Sequence, residues 1–129
     1  MRLEAKLILI RAVVVFFALS LMTYSCEEEA VDITGCWTNA FEEGADIYKG
    51  CNVQAFAAAR FRQVYEFAAN GTVSYRVLLP NDGHAEIEAN WTYDSKRMEV
   101  SIFSNDTAEL LKKLRVAKID QRTLSLQEL

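Results

Sequence analysis

The stretch "AEIEANWTY" alternates without a slip. Ala85, Ile87, Ala89, Trp91 and Tyr93 fall on one side, and Glu86, Glu88, Asn90 and Thr92 on the other. Side chains on a strand point to its two faces in turn, so a period of two marks a half-buried β-strand. A slip of one residue would turn the whole apolar set toward water, which pins the register. The same period brackets this run. Upstream, Phe61, Tyr65 and Phe67 share a face, and so do Val73, Tyr75, Val77 and Leu79; downstream, Met98, Val100 and Ile102 do the same.

Turn residues separate the runs. "ANG" (Ala69 to Gly71) offers the Asn-Gly pair of a tight hairpin in which both central residues take positive φ. "PNDGH", "DSKR" and "SNDT" are further turns, and "LRVAKI" and "LSLQEL" flank "DQRT" as a last hairpin. "AELLKKL" reads either as one or two helical turns or as the start of a strand. Residues 41–59 do not alternate. There "NVQAFAAA" carries the alanines of a short helix, placed to cross a barrel mouth as a lid or plug. A chain of short hairpin-linked strands with one oily face must pack on a second sheet or close on itself. The expected fold is all-β: a small antiparallel meander closing into a β-barrel.

A different segment precedes it. "MRLEAKLILIR" is basic, and Ala12 to Met22 is a run of eleven residues without a charge. That is shorter than the ~20 residues a membrane-spanning helix needs, and it suits the hydrophobic part of a secretory signal. Small residues at Thr23 and Ser25 suit cleavage before Cys26. The segment "TYSC" resembles the lipobox of bacterial lipoproteins. That resemblance implies lipidation of Cys26, which becomes the new N-terminus, with residues 1–25 as a signal peptide of lipoprotein type. "CEEE" is similar to the acidic export signal of Bacteroidetes lipoproteins. It implies an outer-membrane lipoprotein exposed at the cell surface, with residues 26–31 as an acidic tether.

Without the leader, 11 Lys+Arg face 17 Asp+Glu, a formal net charge of −6 on 104 residues. A chain of this length is one domain, here 32–129. Its acidity gives no electrostatic reason to hold nucleic acid. Two cysteines remain, Cys36 and Cys51, an even pair in an oxidising compartment and candidates for a disulfide. No C-x-x-C occurs, and the single histidine, His84, follows a turn, so no metal site or cofactor is expected.

The run "ITGCW" (Ile33 to Trp37) resembles the Gly-x-Trp that opens lipocalins and the lipocalin-like domains of small Bacteroidetes lipoproteins. "YEFAANGTVSY", "NWTYD" and "LRVAKIDQRTLSLQE" are similar, in that order, to their aromatic strand and return, their second Trp strand and their closing hairpin. The resemblance covers most of 32–129. It implies a lipocalin-like barrel whose base is formed by Gly35 and Trp37, with an arginine over the Trp37 ring; Arg115 and Arg122 are the two candidates. Gly35 would let the chain enter the base closely. The chain is shorter than a full lipocalin, and an eight-stranded barrel is narrow enough for side chains alone to fill it.

No catalytic set stands out. Glu86 and Glu88 share a strand face, but it is the polar, outward one. His84 has no partnered nucleophile, and no Gly-rich phosphate loop is present. An enzyme is not expected. Asn-x-Thr occurs at Asn70, Asn90 and Asn105 and is read as coincidence. "DTA" (Asp106 to Ala108) resembles the short O-glycosylation motif of Bacteroidetes exported proteins, which makes Thr107 a candidate. Two readings of function stay open. One is a lipid-anchored binding module, with Tyr65, Tyr75 and Trp91 lining a site for a small apolar ligand, or with a protein partner. The other is a structural or inhibitory envelope protein with a filled core that acts through its loops.

Overall fold

A computed structural model describes Val31–Leu129. The segment expected to be a signal peptide, Cys26 and the expected acidic tether up to residue 30 lie outside the described residues. Eight strands form a closed antiparallel barrel, and the described residues contain no helix. The strands are β1 (Gly35–Asn39), β2 (Ile47–Gly50), β3 (Val64–Phe67), β4 (Thr72–Leu78), β5 (His84–Asp94), β6 (Glu99–Ser104), β7 (Leu110–Asp120) and β8 (Thr123–Glu128).

From β3 to β8 the barrel is the expected meander. Register follows the alternation: Tyr65 faces Tyr75, Tyr75 faces Ile87, and Trp91 faces Ile102. The ambiguous "AELLKKL" is strand, the opening of β7. Three residues expected on the inner face leave it, among them Leu79, which lies past the end of β4 and is exposed. Met98 sits in the β5–β6 turn with φ 54° and is exposed. Phe61 precedes β3 and meets the edge of the His84 ring, with centroids 5.4 Å apart.

The order around the barrel departs from a simple up-and-down ring at its start. β1 pairs with both β2 and β3, and β2, not β1, closes against β8. β2 and β3 therefore run in the same direction on either side of β1. The chain between them, 51–63, must return along the length of β1, and it does so as an irregular strap. The short helix expected from "NVQAFAAA" does not form. Two contacts put the strap outside the barrel. Cys51 is bonded to Cys36, with Cα atoms 5.4 Å apart, and its Sγ lies 3.2 Å from the Thr38 hydroxyl. Cys36 and Thr38 flank the inward Trp37 and so point outward.

The hairpin at "ANG" also differs from expectation. Gly71 N–H donates to Ala68 O, Ala68 N–H donates to Thr72 O, and only Gly71 has positive φ, at 90°. That is a turn followed by a one-residue bulge, which asks nothing unusual of Asn70. Leu79–Gly83 repeats the pattern with Asp82 at φ 64°.

The inner face is densely occupied. Tyr65, Phe67, Val73, Ala89, Val100, Ile102, Leu114, Val116 and Leu124 are all at most 2% exposed. Burial of this face is the main stabilising term, at roughly 25 cal/mol per Å² of apolar surface.

Candidate functional site: the polar end of the barrel

The barrel has two unlike ends. At one, β1 begins, and the hairpins after β3, β5 and β7 turn. Trp37 is buried there, its indole Nε1–H donating to Ile33 O at 2.8 Å. Gly35 and Trp37 both lie at this end, on β1. Gly35 is required by its φ of 117° and not by close approach, since a Cβ there would meet nothing within 4 Å. Arg115 is exposed and pairs with Glu99, 3.7 Å away, and Arg122 is exposed in the β7–β8 turn. This end is held by the indole hydrogen bond and apolar packing.

A run of rings leads from this end to the other. Trp91 meets the Phe67 ring edge-on at 5.3 Å, and its Nε1–H donates to Ala68 O. Phe67 stacks on Tyr65 at 5.7 Å. Tyr65 then meets Tyr48 and Tyr75, each at 5.8 Å. The proposed ligand face is therefore divided. Tyr65 and Tyr75 are neighbours, while Trp91 joins them only through Phe67.

At the second end the interior turns polar. Period two along β7 carries the inner face from Val116 and Leu114 to Lys112, and along β8 from Leu124 and Leu126 to Glu128. Lys112 Nζ donates to the Tyr65 hydroxyl at 3.3 Å and lies 3.4 Å from Glu128 Oε2. It sits 5.7 Å from the Tyr65 ring centroid and 5.3 Å from that of Tyr75, within cation–π range. Burial pushes the Tyr48 hydroxyl well above the ordinary phenol range, with Tyr65, Asp46 and Glu128 adding to it. Burial and then Glu128 and Tyr75 do the same to Tyr65. Burial also raises Tyr75, against the opposing pull of Lys112. All three phenols stay protonated near neutral pH and remain hydrogen-bond donors.

Lys112, Glu128 and Tyr48 were missed from sequence. Their signal was present: Lys112 and Glu128 are in phase with the apolar residues beside them.

The remaining candidates lie on the outside. Glu86 and Glu88 are exposed, and Glu86 accepts a hydrogen bond from Ser74. A recess of about 230 Å³ is lined by Glu66, Ser74, Glu88 and Asn105, on the outer face of β3–β5. Another, of about 360 Å³, lies between the β1–β2 turn and the strap, lined by Glu42, Glu43 and Phe56. His84 Nε2 is 3.0 Å from Arg60 O and holds the strap. Thr107 is exposed in the β6–β7 turn. Among the described residues, no three His, Cys, Asp or Glu side chains converge as a metal site.

No family model, curated protein or solved structure matches this chain.

Proposed function

We propose that the chain is an exported lipoprotein, anchored in the outer membrane through Cys26 and surface-exposed, whose lipocalin-like barrel is a binding module for a protein partner. One observation carries the choice of partner. The interior is occupied by the barrel's own side chains, while exposed apolar residues gather around the polar end. Phe41, Leu78, Leu79, Leu110, Leu111 and Leu129 are six of the nine large apolar side chains that stand exposed among the described residues. By topology all six lie at the end where the hairpins after β1, β4 and β6 turn and β8 stops. Clustered apolar exposure rimmed by polar groups is characteristic of interaction surfaces.

A photo-crosslinking residue at Leu78 or Leu110, and separately at Ile119 near the plugged end, tests the proposal in the producing cell. We expect adducts of one mass from the first two positions and none from Ile119. Adducts from Ile119 alone would reverse the orientation, and none from any position would remove the partner. Labelling with a fatty-acid analogue that persists in Cys26→Ser would remove the anchor.

A further inference from the structure

We propose that Lys112 is the recognition point of a carboxylate-binding site at the polar end, and that Glu128 occupies it when no ligand is bound. The inference rests on the reading of this end as the working end and adds the chemistry it recognises.

An inward lysine is a poor choice for structure alone. The positions in phase with it on β7 are Leu114 and Val116, each 1% exposed, and an apolar residue at 112 would extend the same core without desolvating a charge. The side chain of Lys112 is 19% exposed, whereas that of Glu128 is 63% exposed. Its two polar contacts, 3.3 Å to Tyr65 and 3.4 Å to Glu128, are longer than a well-made charge-assisted hydrogen bond. An ammonium has three protons to donate, so capacity for an incoming oxygen remains.

The surroundings fit a carboxylate better than other groups. Lys112 supplies the charge, and two protonated phenols stand close by: the Tyr75 ring centroid is 5.3 Å from Nζ, and the Tyr48 and Tyr75 rings each lie 5.8 Å from that of Tyr65. Glu128 already shows a carboxylate in reach of the ammonium. Glu128 and Asp46 repel a second anion unless it displaces Glu128, and this selects a singly charged group over a phosphate. Below Tyr65 the barrel is filled, so the rest of the ligand must lie outward, over Leu78, Leu110 and Leu129. A carboxylate on an apolar body comes from two sources, a free organic acid or the C-terminus of a polypeptide.

NMR titration of the full chain in detergent distinguishes them. The ring currents of Tyr65 and Tyr75 shift the Lys112 ε-methylene away from the other lysines and make it a resolved reporter. The probes are benzoate and a tripeptide ending in phenylalanine, with its C-terminus free or amidated. We expect saturable movement of that signal with benzoate, with the free peptide, or with both, whichever source applies. K112Q should bind about tenfold more weakly or less well still, the usual scale for losing a charged hydrogen bond. E128Q should bind several-fold more tightly, because the competing carboxylate is gone. Unchanged core methyl signals of Val100 and Ile102 show that each variant is folded. A static Lys112 signal, equal binding of the amidated peptide, unchanged binding in K112Q or weaker binding in E128Q would each overturn the proposal. Crosslinks at Leu78 and Leu110 that form while the Lys112 signal stays static with every probe would overturn it alone and leave the docking surface standing.

Discussion

Arg62 and Glu42 meet in a two-armed ion pair, Nη1 to Oε2 at 2.9 Å and Nη2 to Oε1 at 2.5 Å. The same guanidinium donates to Asn39 O at 2.7 Å and Ala57 O at 2.8 Å, and it lies 4.4 Å from the Phe41 ring centroid. One side chain thus ties the strap to β1 and to the turn that follows it. Arg60 adds an exposed ion pair with Asp82.

This latch should open in acid. The Arg62 hydrogen bonds hold the Glu42 carboxyl at about 2, against an ordinary 4.5. A carboxylate with a depressed value stabilises the fold fully above its unfolded value and loses that contribution as pH falls through the folded one. The stability difference between wild type and Glu42→Gln should therefore be constant near neutral pH, shrink below 4.5 and vanish near 2. Urea unfolding across that range measures it. Glu42 is about half exposed, so solvent and salt will screen the pair.

The other end of the strap is covalent. Cys36 and Cys51 close a loop of 15 residues. Replacing both by serine should cost about 3 kcal/mol in the chain-entropy account. Non-reducing peptide mapping should recover a single cross-linked pair. Hydrogen exchange should rise first in 52–61, with β4 to β8 protected. Uniform loss of protection would mean that the strap holds the whole barrel together.

The two faces of β5 should differ sharply in cost. Trp91→Ala removes a ring packed on Phe67 and a hydrogen bond to Ala68. The expected loss is ~3 kcal/mol, the low end for large aromatic truncations because Trp91 is only partly buried. Glu88→Ala on the outer face should change stability by less than ~0.5 kcal/mol. Similar losses in a chemical-denaturation comparison would contradict a one-sided barrel wall.

Gly35→Ala tests the entry to the barrel. At φ 117° an alanine is strained although its Cβ has room. A loss of ~1–3 kcal/mol is expected, since strain in sparsely populated backbone regions is of that order. Gly71→Ala, at φ 90°, should fall in the same range. A neutral result at Gly35 would mean that β1 enters by another backbone path.

The amino-acid sequence by itself determined which residues of β5 face inward. The period of a strand is two, and "AEIEANWTY" leaves no second way to bury its apolar set. Residues 84–94 form β5 with that alternation, and the two cysteines that could pair do pair. Only the tertiary structure decided the place of β2. "IYKG" has four residues and no clean alternation, and its partners, Tyr48 with Leu124 and Thr38 with Lys49, lie far away in sequence or depend on which side of β1 is vacant. The strap followed from that choice, because a strand on the far side of β1 obliges the chain to come back across it. Lys112 stood between these cases. Its phase was legible from Leu114, but its charge argued for solvent. Only the assembled barrel, with Tyr65, Tyr75 and Glu128 brought from three other strands, gives an ammonium a reason to point inward.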